Sequence, residues 1–266
     1  MSVHEEIREQ QKKLKGQSFK AKMEYFWEYY KVHTLVAICA IIFIVMLIHD
    51  VTSTKPYGFY AVAINSGASS AQDILEKEFE EYSGFDTTNY DCYIDTSQSY
   101  NLELIDEVTI ATSQKIMANM AASDLDVMMA DSRIFTHYAN QETFLDLRTA
   151  FSESELESLK DRLIYIDQEY LNYIHSDEYQ HYISTGEFDP ENKYAVMADA
   201  YNKDFTLPNT DPAKMESPVP VGIRVDDSAA LTGAGAYPAT TPIAGIVINT
   251  TRPEMSVSFL HYLLGQ

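Results

Sequence analysis

Residues able to do chemistry are plentiful in this chain, but their spacing rarely suits it. Four histidines, His137, His175, His181 and His261, lie in helical or polar contexts of the acidic C-terminal part. His175 and His181 are six residues apart, not the four that would set two zinc ligands on one helix face. A serine nucleophile needs a Gly-x-Ser-x-Gly elbow or a serine poised against a histidine, and no such elbow occurs. Cys92 is the one thiol outside a long apolar run. It sits in the strand-like stretch from Asn89 to Asp95 and reads as a small buried residue, unable to close an internal disulfide or build a Cys-rich metal site. Gly233-Ala234-Gly235 lacks the third glycine and the strand-before-helix setting of a dinucleotide loop. Asp199, Asn202 and Asp204 lack the alternation of a calcium loop. With 40 Asp and Glu, carboxylate pairs arise by chance, and none stands out for acid–base work. The expectation is a protein that is not an enzyme and carries neither metal nor cofactor.

What remains is noncovalent binding. Asn65, Ser66, Asp131, Ser132 and Asn249 each stand where a strand-like run gives way to a turn, and such positions face a cleft in open α/β sheets. The same residue types are also good turn and cap residues. A second group is the tyrosine-dense stretch holding Tyr165, Tyr170, Tyr173, Tyr179, Tyr182 and Tyr194. Tyrosine offers a rigid apolar body with one polar tip, suited to sugar or peptide contact, although packing a core is the plainer use of these rings.

The elements that must position these residues follow from periodicity. Tyr57 to Asn65, Asn89 to Asp95 and Leu125 to Ala130 read as strands. Between them lie two helical stripes, Ala71, Ile74, Leu75, Phe79 and Tyr82, then Ile105, Val108, Thr112, Ile116 and Met120. Ser70 with Asp73 gives the first of these helices a capping signal. The β-α-β-α-β order, with strands apolar on both faces, predicts a parallel sheet covered by helices, a three-layer α/β domain. Residues 133–217 have a different texture. A Ser152–Glu155 capping box opens a helix carrying Leu156, Leu159 and Leu163, and prolines punctuate the return, so the stretch reads as a mostly helical insertion or small second lobe. Val219 to Val225 and Ile243 to Asn249 are again strand-like. Thr251 with Glu254 reads as a further capping box, ahead of a helix striped by Met255, Phe259, Leu260 and Leu263.

Charge and hydropathy set the location. The chain of 266 residues has a formal net charge of −21; residues 1–49 carry seven Lys/Arg against five Asp/Glu, so the remainder carries −23. A domain this acidic avoids nucleic acid and anionic head groups. Leu35 to Ile48 is uninterrupted apolar sequence, and 32–51 is long enough to cross a bilayer. Tyr25, Phe26, Trp27, Tyr29 and Tyr30 precede it as an aromatic belt, and seven basic residues lie before it while only Lys55 follows closely. The positive-inside bias places residues 1–31 in the cytoplasm and 52–266 outside, on the cell membrane. A cleaved signal peptide fits less well, because the leader is long and no Ala-x-Ala follows. A lipoprotein signal at Cys39 meets Ile38 where a small residue is wanted.

Three stretches, LDVMMADSRIFTHYANQETFLDL (125–147), VGIRVDDSAAL (221–231) and AGIVINTTRPEMSVSFLHYLL (244–264), resemble the type 2 periplasmic (extracellular) solute-binding proteins. They match that family's strand ending in an acidic residue before a helix, its return strand, and its late strand, Asn turn and helix. The resemblance implies one lobe of that fold, reduced because the roughly 85 residues available are short for the family's second lobe, and tethered by a permanent anchor like membrane-bound relatives of Gram-positive-type bacteria. The function implied is an anchored, non-catalytic module that binds or senses an extracellular small molecule or peptide. The alternative is a structural or interaction subunit of a membrane complex that has lost its cleft.

Overall fold

The computed structural model describes residues 18–53, 55–208 and 210–266. The chain divides into two compact units, 1–55 and 56–266. Within the first, α1 (Phe19–Ser53) is a single helix of 35 residues, about 50 Å long at 1.5 Å per residue. Its segment Tyr30–His49, 20 residues, is long and apolar enough to cross a membrane, as an anchor or a signal sequence would be. Of the basic residues expected to precede the span, Arg8, Lys12, Lys13 and Lys15 lie outside the described residues.

The second unit is built on one open sheet of six strands. In chain order its elements are β1 (Tyr57–Ala63), α2 (Ala71–Ser83), β2 (Asp91–Asp95), α3 (Glu107–Ala121), β3 (Val127–Ala130), α4 (Ser132–Ala139), α5 (Glu153–Ser158), β4 (Leu163–Asp167), α6 (Gln168–Ile174), α7 (Asp177–Thr185), α8 (Lys193–Asp204), β5 (Pro218–Arg224), α9 (Ala229–Ala234), β6 (Ile243–Ile246) and α10 (Pro253–Leu264). The strand order is β2-β1-β3-β6-β5-β4. Alternation along the strands supplies two cores. Phe59, Ala61 and Ala63 of β1 point to one face with α2, α9 and α10, while Tyr60, Val62 and Ile64 point to the other with α4, α6 and α8. A helical layer therefore covers each face, and burial of both is what makes these strands apolar throughout.

The parallel sheet expected from the β-α-β-α-β order is only half the sheet. β1 pairs parallel with β2 and β3. β6 pairs antiparallel with β3 and β5, and β5 antiparallel with β4. Local periodicity is the same for both orientations, so direction is decided by how the chain returns. Here the return is long: 168–217, holding α6, α7 and α8, joins two neighbouring antiparallel strands. The stretch 133–217 is largely helical, yet it does not stand apart as a lobe, because its strand β4 forms the sheet edge. β4 escaped the sequence reading because Leu163 falls four residues after Leu159 and continues a helical spacing; α5 in fact ends at Ser158.

Caps and faces show the same division between local and tertiary control. The Ser152–Glu155 capping box is present, with the Ser152 N–H donating to Glu155 Oε2 at 2.8 Å and the Glu155 N–H to Ser152 Oγ at 3.3 Å. Ser70 flanks α2 without a side-chain cap, because its backbone is already helical. Arg252, not Thr251, is the N-cap residue of α10, with Pro253 in the first turn. On α3 the buried stripe is Thr109, Thr112 and Ile116, starting after the Asp106 cap, so the expected Ile105 and Val108 point outward, Ile105 being 76% exposed. The edge strand β2 is guarded from pairing, since the Ile94 N–H donates to Glu76 Oε1 at 2.9 Å.

Candidate functional site

At the carboxyl ends of β1 and β3 the structure brings together two of the five expected ligand residues. Asn65 and Asp131 line a shallow cleft of about 350 Å³ with Tyr100, Glu103 and Arg133. Both also make bonds within the protein. Asn65, in the left-handed region at φ 56°, donates from Nδ2 to the Tyr100 carbonyl at 2.8 Å and accepts from the Tyr100 N–H at 3.0 Å. Asp131 caps α4, accepting from the Arg133 and Ile134 N–H groups at 2.9 and 3.1 Å. Arg133, the cleft's cation, holds Glu103 with two 3.0 Å bonds and lies over the Phe205 ring. Ser66 is buried below, donating to the Thr96 carbonyl at 2.8 Å. Ser132 is exposed on the first turn of α4. Asn249 does not join them. Because β6 runs antiparallel to β3, Ile246 sits beside Val127 at the start of that strand, and Asn249 reaches the Met120 carbonyl at the opposite end of the sheet.

Asp95, closing β2, is also bonded within the protein. Its carboxylate takes Lys115 Nζ at 2.6 Å, the Ser97 N–H at 2.9 Å and Gln98 Nε2 at 2.8 Å. Burial raises this carboxyl, but the bonds from Lys115 and Ser97 outweigh burial and hold it below the ordinary carboxylate range. A depressed folded value contributes stability above the unfolded value of about 3.9, and that contribution is lost as pH falls through the folded value. Asp95→Asn is therefore expected to flatten the fall in stability below about pH 4, as read by urea unfolding at a series of pH values. An acid limb identical to the parent's would refute that assignment.

His137 Nε2 lies 3.3 Å from the Tyr100 hydroxyl and 2.9 Å from Gln141 Nε2. Burial holds His137 below and Tyr100 above their usual values, so both are neutral near pH 7 and form no activated pair. His175 and His261 stand 3.6 and 3.5 Å from Glu142 and Glu155. Among the described residues no three His, Cys, Asp or Glu gather as metal ligands would.

The more enclosed space lies elsewhere, on the antiparallel half. A cavity of about 140 Å³ is bounded by Phe135 and Asn140 of α4 and its cap, Ile166 and Asp167 of β4, Tyr170 of α6, Tyr194 and Met197 of α8, and Val221 of β5. An open groove of about 570 Å³ adjoins it, sharing Ala139, Ile166 and Val221, with Glu142, Arg148 and Gln168 among its other lining residues. Asp167 is positioned from both ends of the 168–217 excursion. It caps α6 through the Glu169 N–H at 3.2 Å, and receives the Glu216 and Ser217 N–H groups at 3.0 Å and the Tyr194 hydroxyl at 3.0 Å. Burial raises this carboxyl, yet the N–H groups of Glu216 and Ser217 and the Tyr194 hydroxyl together lower it below the usual range. Burial pushes the Tyr194 hydroxyl up to about 12, so it stays a donor.

The tyrosines of this stretch differ in burial. Tyr170, Tyr173 and Tyr182 are buried, with Tyr182 edge-on to Phe188 at 5.5 Å, whereas Tyr165, Tyr170 and Tyr194 also bound the cavity. Four buried polar atoms have no hydrogen-bond partner among the described residues: the hydroxyls of Tyr138, Tyr173 and Tyr201, and Asn140 Oδ1. All four belong to α4, its cap, α6 and α8, the helices that roof this half of the sheet. An unmet buried group costs about 1–3 kcal/mol, so their confinement to one layer marks it off from the rest of the core. The tyrosine density was the sequence signal for this region. Nothing local could show that Asn140 belongs with it, because the cavity forms only when β4 pairs with β5. No family model, curated protein or solved structure matches the chain.

Proposed function

We propose that this chain is a non-catalytic ligand-binding module of the cell surface, a reduced relative of the type 2 solute-binding proteins held by an uncleaved α1. Its N-terminus is cytoplasmic and its 56–266 unit extracellular, a reading supported by the seven basic residues before the span against Lys55 alone shortly after it. The observation that carries the binding role is the apolar cavity opening beside a groove on the antiparallel half, under the helices that hold the four unmet polar atoms. On this reading the ligand sits on the β4–β5 side and not at the strand ends. The test is a thermal-shift screen of the full-length chain in detergent against sugars, peptides, amino acids, polyamines and divalent cations. A ligand at about 100 times its dissociation constant adds roughly 2.7 kcal/mol, which for a domain of this size raises the melting temperature by about 5–10 °C. A flat screen on cooperatively melting protein would sink the module reading.

A second reading, an interaction subunit of a membrane complex, is favoured by α3 and the turn before it. Leu104, Ile105, Val108, Ile110 and Met117 are exposed there while Thr109 and Thr112 are buried. Exposed apolar side chains gathered in this stretch of an otherwise acidic domain are the kind of contact that a partner's apolar surface would cover.

A further inference from the structure

Resting on the binding reading above, we infer that the cavity takes an uncharged, single-ring molecule carrying a carboxamide or lactam edge, read by the side-chain amide of Asn140. Size comes first. About 140 Å³ is close to the volume of apolar cavities that hold one benzene. The walls agree with a ring, being built from Phe135, Ile166, Tyr170, Met197 and Val221. Charge is excluded by the state of the ionisable groups. Asp167 already accepts from three backbone N–H groups and one hydroxyl, which fills its acceptor sites and leaves nothing for a cation. Lys193 pairs with Glu216 at 2.6 Å and Lys214 with Asp211 at 3.8 Å, so neither is free for an anion. A charged ligand would lose its hydration here without gaining a directly hydrogen-bonded counter-ion.

The polar requirement comes from Asn140. It is 9% exposed, it lines the cavity, and its Oδ1 has no hydrogen-bond partner among the described residues. A primary amide presents donor and acceptor side by side in one plane. The ligand edge that satisfies both at once is another amide. A ring with no such edge leaves Asn140 unmet, and a ring with only a charge meets no partner.

Calorimetric titration of the full-length chain in detergent micelles tests this with four probes of one ring size: benzamide, toluene, benzoate and benzamidinium. Benzamide is expected to bind about 10-fold more tightly than toluene, the scale of one matched buried hydrogen bond, while benzoate and benzamidinium give no heat of binding. Asn140→Leu removes an unmet buried amide, so it is expected to melt cooperatively, no lower than the parent, and to lose the preference for benzamide over toluene. Met197→Trp, from a partly exposed position on α8, fills the cavity and is expected to abolish binding of both; it serves if the Leu variant does not fold. Equal binding of benzamide and toluene, a preference that survives Asn140→Leu, or no binding of any ring overturns the inference. If the thermal-shift screen finds another ligand class while benzamide fails, this inference falls and the binding module stands. If both are blank, both fall.

Discussion

Arg252→Met is expected to destabilise the 56–266 unit by about 3–5 kcal/mol, the usual penalty for stripping the partner from a buried charge. Asp126 is 0% exposed. Its carboxylate accepts from Arg252 Nε at 2.9 Å, the Thr250 hydroxyl at 2.5 Å and the Tyr60 N–H at 2.8 Å. Burial pushes this carboxyl above its ordinary value, and the Thr250, Arg252 and Tyr60 bonds oppose that rise. The guanidinium also donates to the Tyr57 carbonyl at 3.2 Å and the Asp124 carbonyl at 2.5 Å. One side chain thus ties the start of β1, the approach to β3 and the N-terminus of α10 together. Methionine fills similar space but removes the donors to those carbonyls and leaves the carboxylate, still bonded to Thr250 and Tyr60, without its counter-charge. The melting temperature should fall by about 6–20 °C, at 2–4 °C per kcal/mol for a domain of this size. The double variant Asp126→Leu/Arg252→Met should recover only part of the loss, because it removes the buried charge but leaves the Tyr60 N–H without its acceptor. A single variant within 1 kcal/mol of the parent would show that the pair does not hold the fold.

The second large effect is steric. Phe135 and Phe144 stack with centroids 4.2 Å apart and planes 7° from parallel, directly over glycines of two neighbouring strands. A Cβ at Gly222 would lie 2.5 Å from Phe135 Cζ and 2.8 Å from Ile243 Cγ2, whereas one at Gly245 would lie 2.6 Å from Phe144 Cδ1 and 2.9 Å from the Val221 carbonyl oxygen. Alanine at either position overpacks the core, at about 1–3 kcal/mol or more. The two should differ in how they are rescued. At Gly222 every close neighbour is a side chain, so adding Phe135→Leu is expected to restore part of the loss. At Gly245 the obstacle includes backbone, and Phe144→Leu should restore less. Chemical denaturation of the four variants reads this directly, and equal rescue at both sites would count against a backbone obstacle at Gly245. Phe135 also bounds the cavity, so the Gly222 pair should alter ring binding.

Much of this architecture was written in local pattern. The span Tyr30–His49 follows from an apolar run of membrane length, and β1, β2, β3 and their intervening helices follow from a switch between two periodicities. The Ser152–Glu155 box could be read because its two bonds lie within four consecutive residues. The net charge of −21 is likewise a property of composition alone.

Tertiary structure decided the rest, wherever distant residues compete for the same group. Thr251 and Glu254 fit a capping box, but Arg252 takes the N-cap position of α10 while its side chain answers the carboxylate of Asp126, 126 residues earlier. Ile105 and Val108 continue a plausible stripe, but α3 begins at Glu107 under the Asp106 cap and turns Thr109, not Val108, inward beside the expected Thr112 and Ile116. Strand direction has no local signature, so the antiparallel half, and with it the placement of Asn249 away from Asn65 and Asp131, came from the route of the chain through 168–217. The cavity has the same origin: its walls come from α4, β4, α6, α8 and β5, and it forms only where pairing of β4 with β5 brings those distant segments to one face of the sheet.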